Sequence, residues 1–268
     1  MPRSDRAYPR VVVGGFTTIS CTRAQLADLM VEDCVQAREQ EEGLAPKMVF
    51  SSNGQGIALA GRSASFMEVM SQADIIHADG MPVVFASKRT EAPLPERIPT
   101  TDFFHDAARA AEPAGLRFFM LGATQQQNDA AVAAIHKQYP NLQVVGSHHG
   151  YFSDDEDERV CRLIRESHAD VVWIALGKPR QEEWCLRNRE RLRGIGWLKT
   201  CGGLYAFLTG DAPRAPRWIQ NAGLEWLFRL MGDPKRLAWR YLWTNPYAFY
   251  RLARYTRRSR SMDGAITG

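Results

Sequence analysis

Short apolar runs alternate with longer amphipathic segments along most of the chain, and this alternation constrains the fold more than any other feature. A buried parallel strand reads as a brief, nearly continuous apolar run, and its return crossover needs a dozen or more residues, usually a helix. Seven such runs, at residues 10–13, 47–51, 75–78, 116–121, 142–145, 170–176 and 196–200, are expected to be strands. Helices are expected at 22–40, 101–111, 124–138 and 153–167. In the third of these, Ala130, Ala133 and Ala134 fall at i, i+3 and i+4, a small-residue face suited to lying close on a sheet. The pattern predicts an α/β fold, a Rossmann-like and mostly parallel sheet sandwiched by helices. No repeat or linker divides residues 1–212, which are expected to form one domain.

The pattern changes after residue 212. Leu224, Leu227, Phe228 and Met231 follow helical spacing between Pro213-Arg214-Ala215-Pro216 and Gly232-Asp233-Pro234, so a helix is expected there. In a second helical stretch Trp239, Leu242 and Trp243 form one stripe while Arg236 and Arg240 share another, and Asn245-Pro246 is expected to interrupt it. Arg251, Arg254 and Arg258 recur beyond the proline. Residues 213–260 are therefore read as a helical appendage, and 261–268 as a disordered tail. Charge marks the same seam: 213–260 hold eleven Lys/Arg against two Asp/Glu, whereas 1–212 hold 23 against 27. Four of the seven tryptophans lie in the appendage. Arginine mixed with tryptophan and tyrosine suits a membrane interface or nucleic acid.

Five scattered cysteines, Cys21, Cys34, Cys161, Cys185 and Cys201, contain no C-x-x-C pair and read as buried free thiols. The polar N-terminus lacks the apolar core of a secretory signal, and no apolar stretch approaches the ~20 residues needed to span a bilayer.

In open parallel sheets ligands collect at the carboxyl ends of the strands. Three such ends stand out. Ser51-Ser52-Asn53-Gly54 offers hydroxyls and an amide, or is an ordinary turn. Ala78-Asp79-Gly80 sets a carboxylate between apolar segments, as a general base with a raised pKa or as a helix N-cap. Gly177-Lys178-Pro179-Arg180-Gln181-Glu182 places two cations at a strand-to-helix turn, an anion site or solvated surface charge. The dinucleotide fingerprint, the P-loop, the nucleophile elbow and H-E-x-x-H are absent. His148 and His149 are adjacent and expected to point apart, and Asp155-Glu156-Asp157 reads as an acidic helix start behind Ser153. No metal or other cofactor is called for by these residues.

An ordered set of short blocks resembles the bacterial WecG/TagA/CpsF glycosyltransferases. It comprises Ser51-Ser52-Asn53, Ala78-Asp79-Gly80, Glu96-Arg97-Ile98-Pro99-Thr100-Thr101-Asp102, Phe119-Met120-Leu121-Gly122, Tyr139-Pro140, His149-Gly150-Tyr151-Phe152, Leu176 through Glu182, Gly202-Gly203, Arg214-Ala215-Pro216 and Leu224-Glu225-Trp226-Leu227-Phe228-Arg229-Leu230. The departures are mild: the family usually has Thr-Pro-Asn at 51–53, Lys at 180 and Gly at 100.

The resemblance implies a transferase that moves a hexose (N-acetylmannosamine, its uronate or glucose) from a UDP-sugar to a polyprenyl-diphosphate-linked sugar. Inversion at the sugar, no essential metal, and a role in bacterial surface polysaccharide synthesis are implied with it. It also implies Asp79 as base, Arg97 on the diphosphate, and Ser51, Asn53 and Gln181 in the donor pocket with Lys178 and Arg180 beside it. Arg214 and Arg217 are expected over the diphosphate, and Arg236, Arg240, Trp239 and Trp243 at a membrane surface. The expected location is peripheral, on the cytoplasmic face of the inner membrane, with a homo-oligomer left open. The alternative is a nucleotide-binding α/β module whose basic tail binds nucleic acid; against it, the tail shows no RNP-like or helix-turn-helix pattern.

Overall fold

The structure is a computed structural model that describes residues 8–40 and 43–258, without the side chains of Arg236, Arg240 and Arg258. The segment 261–268, read as a disordered tail, lies outside the described residues. In chain order the elements are β1 (Arg10–Val13), β2 (Phe16–Ile19), α1 (Arg23–Arg38), β3 (Lys47–Ser52), α2 (Gly54–Ala60), α3 (Ala64–Ser71), β4 (Ile75–Ala78), α4 (Met81–Ser87) and α5 (Thr100–Ala114). There follow β5 (Arg117–Gly122), α6 (Gln125–Gln138), β6 (Gln143–His148), α7 (Asp157–Glu166), β7 (Val171–Ala175), α8 (Arg180–Asn188), β8 (Trp197–Thr200) and α9 (Leu204–Leu208). The described residues close with α10 (Arg217–Asn221), α11 (Glu225–Gly232), α12 (Pro234–Arg254) and β9 (Arg257–Arg258).

Six strands form the parallel sheet, in the order β4-β3-β8-β7-β5-β6. The expected strand at 10–13 exists but lies outside it. Gly14 and Gly15, both at positive φ, turn the chain directly back into β2, so β1 joins an antiparallel β2-β1-β9 sheet. A two-residue turn with positive φ at both positions matches the twist of a hairpin. The Val-Gly-Gly-Phe sequence was the available signal for this.

Helices cover both faces of the parallel sheet. One face packs on α2, α3, α4, α7, α8 and α12 through Ile57, Phe66, Val84, Ile164, Trp184 and Leu252. The other packs on α1, α5, α6 and α9 through Met30, Phe103, Phe104, Ile135 and Tyr205. Trp173 and Trp197, fully buried, anchor this second layer, each worth about 2–3 kcal/mol in burial. Helix starts follow the sequence: Thr22 and Gln25 form a capping box on α1, and Thr124 caps α6. On α6, however, Asn128, Ala131 and Ile135 face inward, while Ala130 and Ala133 are exposed. Asn128 decides that rotation by donating to the carbonyls of Met120, Gly122 and His148 at 2.9–3.1 Å, which ties the ends of β5 and β6 together. The five cysteines are buried and free.

The appendage differs from expectation in two ways. Pro246 does not interrupt the second helix, because α12 runs through it to Arg254. The chain then leaves the helix, and Arg257 and Arg258 pair with Val12 and Val11 of β1, so Arg258 does not continue a helical face. α12 packs along α2, burying Ala248 and Leu252, and Tyr247 donates to the Gly61 carbonyl at 2.9 Å. No helix among the described residues is long and apolar enough to cross a membrane.

Candidate active site

The carboxyl ends of the parallel strands open into a cleft of about 1200 Å³, roofed by α11 and α12. All three strand ends singled out in the sequence meet there: Ser51 at the end of β3 with Asn53 just beyond it, Asp79 after β4, and Lys178 and Gln181 after β7. Crossover direction explains the convergence. β3 leads outward to β4 and β5 to β6, while β7 and β8 return to the middle, so loops diverge at the carboxyl edge and leave a crevice.

Asp79 is held by its backbone, whose N–H donates to the Ser52 carbonyl at 2.9 Å. The N-cap reading fails, since Gly80 caps α4 and no side chain bonds to that end. The Asp79 carboxylate makes no hydrogen bond or ion pair among the described residues. Burial raises its pKa above the ordinary value; Arg229, Lys199 and Arg97 pull it down and Glu225 pushes it up. A carboxylate whose pKa is raised is a better proton acceptor than a free one.

Arg97 reaches the cleft from a loop pinned to β4, where the Ile98 N–H donates to the Ala78 carbonyl at 2.6 Å. Its guanidinium is engaged by the appendage: it donates to Glu225 at 2.8 Å and to Gln220. Glu225 also accepts from Arg229 at 2.8 Å. Burial would raise the Glu225 carboxyl, but the Arg97 hydrogen bond and the charge of Arg229 outweigh that and hold it below the usual range. Two arginines thus face the cleft around one carboxylate, an arrangement a diphosphate can also satisfy.

Asn53 is a helix cap whose Oδ1 accepts from Gly56 N–H at 3.0 Å, which leaves its amide NH₂ for a ligand. Gln181 is buried; its Oε1 accepts from Gly202 N–H at 3.1 Å and its Nε2 donates to Glu182 at 2.8 Å. Lys178 forms a buried ion pair with Glu182 at 2.5 Å and donates to the Ser51 carbonyl at 3.2 Å.

The remaining candidates sit elsewhere. Arg180 does not line the cleft; it donates to the carbonyls of Gly150 and Phe152 and lies over the Phe152 ring, clamping the loop after β6. Arg214 donates to Asp102 and Gln220 beneath α10, and Arg217 is exposed. Trp239 and Trp243 are 70% and 50% exposed and pack edge to face on the outer side of α12. The Arg236 and Arg240 side chains lie outside the described residues.

Sequence reasoning missed Arg229, Glu225 and Lys199. The first two lie in the Leu224–Leu230 block, and only folding the appendage over the cleft gives them a role. Lys199 had a signal, a lone charge inside an otherwise apolar strand. His148 and His149 do not diverge: their rings lie 4.5 Å apart and His148 Nδ1 is 2.8 Å from the His149 carbonyl. Asp157, expected in an acidic helix start, is there and also accepts from Trp184, Arg187 and Asn188. Among the described residues no group of three or more His, Cys, Asp or Glu is gathered to hold a metal.

Compared with known protein families, residues 13–262 match the glycosyl transferase WecG/TagA/CpsF family. The chain belongs to that family. Among its relatives is the N-acetylglucosaminyldiphosphoundecaprenol N-acetyl-beta-D-mannosaminyltransferase of Staphylococcus aureus strain MW2. It is 31% identical over 210 residues, which cover 78% of this chain and 81% of the relative. The protein of the same name from strain NCTC 8325 matches at the same identity and coverage. This WecG/TagA/CpsF member is therefore a glycosyltransferase, which decides between the enzyme and binding-module readings of its sequence.

Proposed function

We propose that this transferase moves a hexose from a UDP-sugar to a sugar carried on a polyprenyl diphosphate, with inversion and without a metal. The observation that carries the reading is the unpaired, half-buried Asp79 carboxylate in a cleft whose arginines, Arg97 and Arg229, face it. Asp79 takes the proton of the acceptor hydroxyl while that oxygen attacks the anomeric carbon from the face opposite UDP. The bond from that carbon to the β-phosphate oxygen breaks, and its electron pair leaves with UDP. The charge gathering there, or that of the acceptor diphosphate, falls to Arg97 and Arg229, with Glu225 yielding its hydrogen bonds. Ser51, Asn53 and Gln181 would orient the donor. N-acetylmannosamine is the first donor to test, because the Staphylococcus aureus relative is named for its transfer.

The acceptor's lipid requires a membrane surface, which the outer side of α12 suits. Trp239, Leu242, Trp243, Phe249 and Tyr250 are exposed along it. Aromatic side chains of this kind settle at headgroup depth, and nearby arginines favour anionic lipid. We place the protein peripherally on the cytoplasmic face of the bacterial inner membrane, in surface polysaccharide synthesis.

The test is to incubate the full chain with lipid-linked monosaccharide acceptors and a panel of UDP-sugars, with Asp79→Asn alongside. UDP release should depend on both acceptor and donor, and Asp79→Asn should lose about 10²–10⁴-fold in turnover. Near-normal turnover by a folded Asp79→Asn protein removes Asp79 as the base.

A further inference from the structure

Lys199 is an unusual residue for the middle of a parallel sheet. It lies on β8, in register with Val49 of β3 and Trp173 of β7, and none of it reaches solvent. Its ammonium donates to the Thr200 carbonyl at 2.7 Å and stands 6.0 Å from the centre of the Phe103 ring. Among the described residues it forms no ion pair. An ammonium in an apolar layer is strongly unfavourable unless an anion compensates it.

The sheet face and a shared ring point to that anion: the Lys199 ammonium and the His77 ring both lie against Phe103, at 6.0 and 6.1 Å from its centre. Val49 pairs with Ile75 and Ser51 with His77, so Lys199, Ser51 and His77 share one face of the sheet. Asp79 follows two residues after His77, just past the end of β4. The other nearby groups do not serve. Burial pushes the Cys201 thiol up to about 12 and drives the His77 imidazole well below its usual range, so both are neutral. Glu182 is already paired with Lys178 at 2.5 Å. Burial pulls the Lys199 ammonium down to about 8, with Asp79 and Glu182 opposing and Lys178 adding to the shift, so it remains mostly charged at neutral pH.

We propose that Lys199 is a positioning residue: from inside the sheet, its ammonium keeps Asp79 a carboxylate while anionic substrates fill the cleft. The charged groups acting on Asp79 are Arg229 and Glu225 of α11, Arg97 of the loop before α5, and Lys199 of β8. Arg97 and Arg229 are compensated by Glu225 in the free protein and by a diphosphate in the complex. Lys199 is fully buried and does not line the cleft, so its charge persists through the reaction. This inference rests on Asp79 being the base.

The experiment is the pH profile of kcat/KM for the full chain, Lys199→Met and Lys199→Arg, with thermal melting to report folding. Lys199→Met should move the acid limb up by about one pH unit, a roughly tenfold loss below the limb that disappears above it. Lys199→Arg should restore the wild-type limb. An unmoved limb, or an equal loss at every pH, overturns the proposal. A measurement on the unsubstituted protein does not depend on any variant folding: the carboxyl carbon of Asp79, followed by ¹³C NMR, should show a second inflection near pH 8 as Lys199 loses its proton. A single-step titration overturns the proposal even if Asp79→Asn is inactive. An active Asp79→Asn instead refutes the base assignment, whatever the titration shows.

Discussion

Replacing Lys178 with methionine tests whether the floor of the cleft is held by a buried ion pair. The Lys178 side chain is 7% exposed and that of Glu182 is fully buried, with 2.5 Å between Nζ and Oε1. The Glu182 Oε2 atom has no partner, so Lys178 and Gln181 supply the hydrogen bonds this carboxylate receives. Removing Lys178 leaves a buried charge uncompensated, which costs about 3–5 kcal/mol. At about 2–4 °C per kcal/mol for a chain of this size, the melting temperature should fall by roughly 6–20 °C. Adding Glu182→Gln removes the orphaned charge, so the double variant should recover to within about 1 kcal/mol of wild type. Urea denaturation of the wild type, both single variants and the double variant, followed by circular dichroism, measures the coupling. If Lys178→Met costs less than about 1 kcal/mol, or if the two substitutions simply add, the pair is not what joins β3, β7 and α8 at the site.

Asp170 is buried just before β7; burial would raise its carboxyl, but hydrogen bonds from Arg38 and Arg117 outweigh this and hold it below the ordinary range. A depressed pKa contributes stability above the unfolded value of about 4 that is lost as pH falls through the folded value, so Asp170→Asn should be less stable at pH 7 and lose less on acidification than wild type in parallel melts. Gly122 has φ +135°, and a Cβ there would stand 2.5 Å from the Ala175 carbonyl oxygen; Gly122→Ala should cost about 3 kcal/mol in urea denaturation. Trp239→Ser with Trp243→Ser should reduce co-sedimentation with anionic vesicles by about tenfold, the equivalent of ~1.4 kcal/mol, while lowering the melting temperature by only a few degrees, since Trp239 is exposed and Trp243 gives up its contact with Arg62. Unchanged vesicle binding would remove α12 from the proposed membrane contact.

Much of the site was legible because its parts are local. Ser51, Asn53, Asp79, Lys178 and Gln181 each lie at or just past the end of a strand whose apolar run can be read directly, and parallel strands deliver their carboxyl ends to one edge. Arg180 and Arg214 were less legible, because the sequence gives a guanidinium's charge but not its acceptor. The structure directs one to backbone carbonyls and the other to Asp102 and Gln220. The proline in α12 misled for a related reason. Pro246 removes one donor and strains one turn, yet packing of Ala248 and Leu252 against the body holds the helix through it.

By itself the sequence determined the parallel α/β architecture, the strand ends that line the cleft, the free buried thiols and the basic, aromatic composition of residues 213–260. These follow from periodicity, spacing and composition, which act over a few residues. Tertiary structure alone decided that the first strand joins a hairpin closed by β9, that Glu225 and Arg229 descend on Arg97, and that Lys199 is sealed inside the sheet on the same face as His77. Each of those depends on which distant segments pack together, and burial then sets how strongly a charge acts.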